Sequence, residues 1–184
     1  YCIFPIFLFN LDLISKLAYL KIMTVKKILT APDPFLKQIS KPVDEVTKEI
    51  QDLMDDMLDT MYDAPGIGLA AVQIGVPLRV IVMDISWRNE EGIKEPLYFV
   101  NPEITVKTKN LSTYEEGCLS VPDQYAEIDR PEECEINFLD YNGKKSTLNA
   151  KGLLATCIQH EMDHLEGILF IDHLSNMKRN MIVK

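Results

Sequence analysis

From Val43 to Met61 the apolar residues Val46, Ile50, Leu53, Met54, Met57, Leu58 and Met61 recur at spacings of three and four, and acids fill the other face. This is the period of an amphipathic helix with one side in a core. Ala64-Pro65-Gly66 ends it. The methionines could be imagined as a ligand surface, but a stripe at this spacing reads as core packing. Further on the pattern turns β-like. Leu78 to Met83 is rich in branched residues, Leu97 to Val100 and Ile104 to Val106 follow, and Cys134 to Leu139 alternates. Asn142-Gly143 separates that last run from Ser146 to Leu148 and predicts a two-residue hairpin turn. Gly152 to Leu165 predicts a second helix, with Leu153, Leu154, Cys157, Ile158 and Met162 at its apolar positions. A short apolar run, Ile168 to Ile171, comes next, and His173 to Lys184 reads as helical. Pro32, Pro34 and Pro42 mark an irregular lead-in. Strands grouped between two helices predict an α+β fold rather than a doubly wound sheet.

The chain of 184 residues suffices for one domain with a hydrophobic core. Its formal net charge of −9 repels phosphate backbones and argues against free nucleic acid as a partner. Cys2, Cys118, Cys134 and Cys157 are too irregularly spaced for a disulfide framework. The apolar run Tyr1 to Phe9, broken by Asn10, Asp12 and Lys16, is too short to span a membrane. It has neither a basic flank before it nor a small-residue cleavage pattern after it. Met23-Thr24-Val25 would make a natural start. Residues 1–22 are therefore expected to lie upstream of the true start or to form a weakly ordered extension, with a degenerate targeting segment as the alternative. Residues 23–184 are expected to form the single domain.

The strongest chemical signal is His160-Glu161-Met162-Asp163-His164. Residues four apart on a helix share a face. Two imidazoles so placed can grip one metal ion, with Glu161 beside them to handle protons. The bland alternative is a solvated helix face; with only three histidines in the chain, this spacing is improbable by chance. A catalytic metal commonly takes a third protein ligand. In the extended pattern HExxHxxGxxH, Gly167 falls on the glycine, but Phe170 stands where the third histidine belongs. Glu166 is too close along the same helix, and Asp172 and His173 fit no recognised spacing. The third ligand should come from upstream, where three cysteines compete. Cys157 sits a turn away on the same helix with a short side chain, and Cys134 lies in an alternating strand; burial is the default for both. Cys118 follows a glycine in Glu115-Glu116-Gly117-Cys118-Leu119-Ser120, and a thiolate there would complete a Cys/His/His set. Gly66-Ile67-Gly68-Leu69-Ala70-Ala71-Val72-Gln73 partly matches a dinucleotide fingerprint, but a helix precedes it where a strand is required. Its glycines would instead let backbone lie close to a bound peptide.

These three segments, in this order, resemble the signature motifs of peptide deformylases, and the resemblance runs from about Thr24 to the C-terminus. It includes the lead-in Ile28-Leu29-Thr30-Ala31-Pro32-Asp33. It implies an α+β fold: antiparallel sheets packed around a central metal-binding helix, with an N-terminal helix and a C-terminal helix. It implies a metal-dependent hydrolase that removes the formyl group from N-terminal formylmethionine of newly made chains. By the same resemblance Cys118, His160 and His164 bind the metal, and Glu161 is the general acid/base. Gln73 and the Leu119 N–H bind the oxyanion. Ile67, Gly68 and Gly117 pair with the substrate backbone, and Glu116 and Cys157 lie near the methionine pocket. The implied cofactor is one divalent ion, natively Fe2+, with Zn2+ or Ni2+ also accommodated by this ligand set. The implied partners are nascent N-formylmethionyl peptides, with a transient ribosome contact through the C-terminal tail and no membrane. The implied location is cytoplasmic, of bacterial type, with an organelle as the alternative. Rival readings are a zinc endopeptidase, which lacks its downstream third ligand here; a hydrolase with Cys118 as nucleophile, which would survive chelation; and a non-enzymatic domain with a structural metal or a redox-sensitive cysteine.

Overall fold

The methionine stripe forms helix α1 (Lys48–Asp63), with Met54, Met57, Leu58 and Met61 buried. Val43 and Val46 belong to the same apolar cluster but lie outside the helix. The reason is local. The Asn101 side chain accepts from the Val43 N–H at 2.8 Å and donates to its carbonyl at 2.7 Å, so neither group can join a helical ladder. The computed structural model describes residues 24–89 and 92–182; the expectation for residues 1–22 lies outside them.

Seven strands follow: β1 (Gly68–Ala70), β2 (Val80–Met83), β3 (Leu97–Lys107), β4 (Leu111–Cys118), β5 (Val121–Pro131), β6 (Glu133–Leu139) and β7 (Lys145–Lys151). Five make an antiparallel sheet in the order β1-β2-β3-β6-β7, and β4 pairs with β5 in a separate antiparallel hairpin. The expected α+β class and antiparallel sheets are what the chain forms. Strand β2 is apolar throughout because both its faces are covered. Val80 and Val82 join the cluster that contains the α1 methionines, whereas Ile81 and Met83 join the one that contains Ile158 and Leu165. Those last two belong to helix α2 (Gly152–Leu165), which starts directly after β7 and also touches β4 and β5. A short 3-10 helix, Phe170–His173, and helix α3 (Asn176–Ile182) complete the described chain.

Two sequence expectations change, and one element has none. The runs Leu97 to Val100 and Ile104 to Val106 are one strand, because Asn101-Pro102 is absorbed as a register shift, with Asn101 at φ 49°. The Asn142-Gly143 turn is longer than two residues. Asp140 and Lys144 pair across Tyr141-Asn142-Gly143, Gly143 takes φ +76°, and the Asp140 carboxylate accepts from the N–H groups of Asn142 and Lys144. The β4–β5 hairpin carries no sequence expectation at all. Replacing Asn101 by Ala should remove both bonds to Val43, costing ~1–3 kcal/mol. The expected outcome is a melting temperature lower by several degrees with kcat nearly unchanged; an unaltered melting curve would mean the clamp contributes nothing.

Candidate metal centre

Helix α2 presents His160, Glu161 and His164 from one buried face. Strand β4 ends at Cys118, and the turn Leu119-Ser120 returns the chain to β5, with Cys118 opposite Val121. The sequence-predicted set thus converges from two layers. The ligand atoms of Cys118, His160 and His164 lie within 4.8 Å of one another, and Cys118 Sγ is 3.2 Å from His164 Nε2. Donor atoms around a tetrahedral ion with bonds of about 2.0–2.3 Å are about 3.3–3.8 Å apart. The three groups therefore fit one ion with small adjustments. Neither Cys134, on β6, nor Cys157, on α2, joins them; both are buried in one apolar cluster, and burial pushes both thiols up, Cys157 strongly. A thiol kept protonated is a poor ligand.

The electrostatics separate the two histidines. Burial by itself would lower the proton affinity of His160. Hydrogen bonds with Cys118 and Glu116 outweigh this and hold its pKa well above the ordinary range. The same negative surroundings that favour a proton there favour a metal cation. The Glu116 carboxylate accepts from His160 Nδ1 at 2.8 Å, which fixes the tautomer and leaves Nε2 free to serve a metal ion. His164 behaves oppositely: burial, then the positive charges of His160 and Arg130, push it well below the ordinary range, so it is a neutral donor. Burial pushes Glu161 up to about 7, and its Oε2 is buried with no hydrogen-bond partner. A carboxyl poised there can both take and return a proton near neutrality.

Gln73 lies in a short 3-10 helix, Ala71–Ile74, that follows β1. Its Oε1 accepts from the Ala70 N–H at 2.7 Å, so its NH2 must face the other way, toward Ser120 Oγ at 3.1 Å and Cys118 Sγ at 3.7 Å. The amide is aimed at the cluster as a donor. A cavity of about 600 Å³ opens beside it, bounded among others by Ile67, Gly68, Gly117, Cys157 and Glu161. Gly68 on its wall belongs to β1, an edge strand whose β2-facing side is already paired. Glu116 also borders this cavity, but its carboxylate is turned to His160 and Arg130.

Sequence reasoning missed Arg130, Trp87 and Tyr125. Arg130 sits on β5 and grips Glu116 with two nitrogens. Trp87 Nε1 donates to the Gly66 carbonyl at 2.9 Å and holds the start of the glycine segment. Tyr125 lies over Gly117, where an added Cβ would come within 2.7 Å of its ring. An isolated Arg at an inward position of an alternating stretch was the one available signal. Gly68 is constrained still more tightly: a Cβ there would meet Glu161 Oε1 at 2.4 Å and Cys157 Sγ at 3.0 Å. Gly68→Ala should displace the Glu161 carboxylate by a fraction of an ångström to about 1 Å and lower kcat ~10²-fold. Bound metal should stay the same, as measured by elemental analysis; unchanged turnover would show that Glu161 tolerates the shift.

The comparisons with known proteins agree with this geometry. A family model described as polypeptide deformylase matches residues 25–180. A peptide deformylase of Pelagibacter ubique is 69% identical over 162 residues, covering 88% of this chain and 93% of that protein. One of Hyphomonas neptunium is 60% identical over 162 residues, covering 88% of this chain and 91% of that protein. Among solved structures, the Ehrlichia chaffeensis peptide deformylase in complex with actinonin superposes with a TM-score of 0.83 at 41% identity, covering 88% of this chain and 95% of that one. The Legionella pneumophila peptide deformylase gives a TM-score of 0.80 at 47% identity, covering 86% and 90%. The match takes in the glycine segment, the Cys118 turn and the His160–His164 helix together, and on that ground the chain belongs to the polypeptide deformylase family.

Proposed function

We propose that Cys118, His160 and His164 hold one divalent metal ion, and that at this centre the chain removes the formyl group from N-terminal formylmethionine, releasing formate. The removal of formyl groups from nascent peptides is the activity of its family. The observation that carries the site assignment is the convergence of the three ligand atoms with Glu161 beside them and the Gln73 amide aimed at them. In this reading α2 is the central metal-binding helix. Fe2+ is the native ion, and Zn2+ or Ni2+ suits the same donors.

When bound, a divalent ion supplies Lewis acidity and makes hydroxide available near neutral pH. The protein supplies the rest. Glu161 takes the proton of the attacking water and returns it to the leaving amine. Its value of about 7 suits both directions. The Gln73 NH2, oriented by the Ala70 N–H, and the Leu119 N–H stabilise the oxyanion; one such donor is typically worth ~10²–10³ in rate. Ile67, Gly68 and Gly117 pair with the peptide backbone, as an added strand would at the open side of β1. Cys157 forms part of the wall for the methionine side chain. Glu116 serves that pocket from behind, by holding His160. The substrate is the nascent N-formylmethionyl chain, met in a bacterial-type cytoplasm or, alternatively, in an organelle, with a transient ribosome contact through the C-terminal tail. Among the described residues no helix is long and apolar enough to cross a membrane.

The decisive experiment joins metal analysis of anaerobically purified protein to a formate-release assay on formyl-Met-Ala-Ser. One ion per chain and turnover lost on chelation are expected; turnover that survives chelation would favour Cys118 as a nucleophile. Glu161→Ala should keep the ion and lose ~10²–10⁴ or more in kcat. Cys118→Ala should lose the ion, and Cys134→Ala should not. A Cys118 variant that holds metal as tightly as wild type would break the ligand assignment.

Substrate choice gives a second check. Formyl carries only hydrogen beyond its carbonyl, and an acetyl methyl would have to fit against the ligand shell, where a misplacement of ~1 Å can cost ~10² in rate. Burying a methionine side chain contributes ~1.5–3 kcal/mol, which glycine forgoes. Values of kcat/KM should fall from formyl-Met-Ala-Ser to formyl-Gly-Ala-Ser and to acetyl-Met-Ala-Ser. Equal values for the acetyl peptide would point to a broader amide hydrolase.

A further inference from the structure

The sequence carries a third histidine, His173, that fits no ligand spacing. It lies at the end of the 3-10 helix Phe170–His173, with its side chain 38% exposed. We propose that His173 is a positioning residue for the metal centre, holding His160 through Asp163, Arg130 and Glu116. The proposal rests on the metal-site reading above.

The connection is continuous. His173 Nε2 donates to Asp163 Oδ2 at 2.7 Å. Arg130 Nη1 donates to the same oxygen at 2.8 Å. The other side of that guanidinium grips Glu116, with Nη2 to Oε2 at 3.0 Å. The same Glu116 oxygen accepts from His160 Nδ1 at 2.8 Å. Four elements contribute: β4, β5, α2 and the 3-10 helix. A carboxylate oxygen shared by two donors is fixed more tightly than one held by a single donor. Arg130 is planar and buried, so a rotation of Asp163 is passed on to Glu116 as a tilt of the fork rather than lost in solvent. Glu116 in turn sets the plane of the His160 ring.

His173 could instead serve only to pin its own turn. That turn already has its own anchors. Asp172 accepts from the Leu169 N–H at 2.8 Å, pairs with Lys37, and lies 3.1 Å from Arg179. Phe170 and Ile171 are buried in a third apolar cluster. The His173 bond reaches instead across to α2, to the carboxylate oxygen that Arg130 also uses. Its beneficiary is Asp163.

Partners that orient a metal-bound histidine typically change metal affinity ~10–100-fold when removed. His173 stands further out, so an effect near the lower end is expected. The test loads the protein with Ni2+ and follows release of nickel to excess EDTA, with melting temperature and kcat recorded alongside. His173→Ala should speed nickel release ~5–10-fold. His173→Gln, which keeps an N–H donor, should return to within ~2-fold of wild type. Asp172→Asn loosens the same turn without touching Asp163; it should lower the melting temperature yet leave nickel release within ~2-fold of wild type. Release from His173→Ala at the wild-type rate would overturn the proposal, as would equal acceleration by Asp172→Asn. A wild-type protein that takes up no nickel would overturn the metal-site reading, and this proposal with it. Normal uptake with unchanged release from His173→Ala would overturn this proposal alone.

Discussion

Arg130 and Glu116 face each other across the β4–β5 hairpin with side chains 6% and 5% exposed. Taking such charges out of water costs several kcal/mol per ion unless each is fully engaged. Here both are. Glu116 receives two nitrogens of Arg130 and one of His160; Arg130 reaches Asp163 with the nitrogen that remains. Burial would push Glu116 up, but His160 and Arg130 hold it at about 2, so it stays an anion. That anion turns His160 toward Cys118 and favours positive charge at the centre. A two-stranded hairpin is marginal on its own. This one is fastened to α2 by the ion pairs, so the interaction that orients His160 also attaches the strand that carries Cys118.

The backbone adds a second constraint. The lead-in segment lays two hydrogen bonds across the site, from the Leu29 N–H to the Gln73 carbonyl and from the Ala31 N–H to the Ser120 carbonyl, both at 2.8 Å. The Gln73 and Ser120 side chains are bonded to each other as well. The glycine segment and the Cys118 turn, distant in sequence, are thereby set to one spacing. A comparable node lies under the other end of β1. Asp84 is fully buried and accepts from the Tyr62 hydroxyl and from the N–H groups of Ser86, Trp87 and Glu95. Trp87 then reaches Gly66. Donors that must not reorganise during a reaction need supports of this kind.

Both helices that cover the five-stranded sheet were legible, because their apolar spacing is local and strong; α2 runs over the residues its pattern predicted. The three motifs were legible because each is short and chemically distinctive. The β4–β5 hairpin was not, and its residues explain why. Inward positions that would normally read as apolar carry Glu116 and Arg130, Pro122 and Pro131 stand near the two ends of β5, and Asp123 at φ 60° lies where the register shifts opposite Gly117 and Cys118. Local rules fail where a site occupies the strand. The long-range partners were hidden for a different reason. Nothing near Asp163 in sequence announces that Arg130 and His173 converge on one of its oxygens, since that convergence belongs to packing.

Phe170 shows how close the alternative arrangement lies. In the pattern HExxHxxGxxH a third histidine would stand at this position. Gly167 takes φ +70°, and a Cβ there would meet the Lys37 carbonyl oxygen at 2.5 Å, so the chain turns back after α2 where only glycine fits. The turn brings residue 170 against the face of α2 that carries His160. The Phe170 ring is 1% exposed and stacks on His160, with centroids 6.2 Å apart and planes 25° apart. An apolar ring cannot ligate, but it closes that side of the imidazole to solvent and lowers the local dielectric, which strengthens the interaction of His160 with Glu116. In the proposed centre the third donor enters from the opposite layer, where Cys118 stands at the tip of a hairpin within 4.8 Å of the two histidines. The glycine turn therefore carries an apolar wall at residue 170, and the proposed centre lies between α2 and the hairpin instead of on α2 alone.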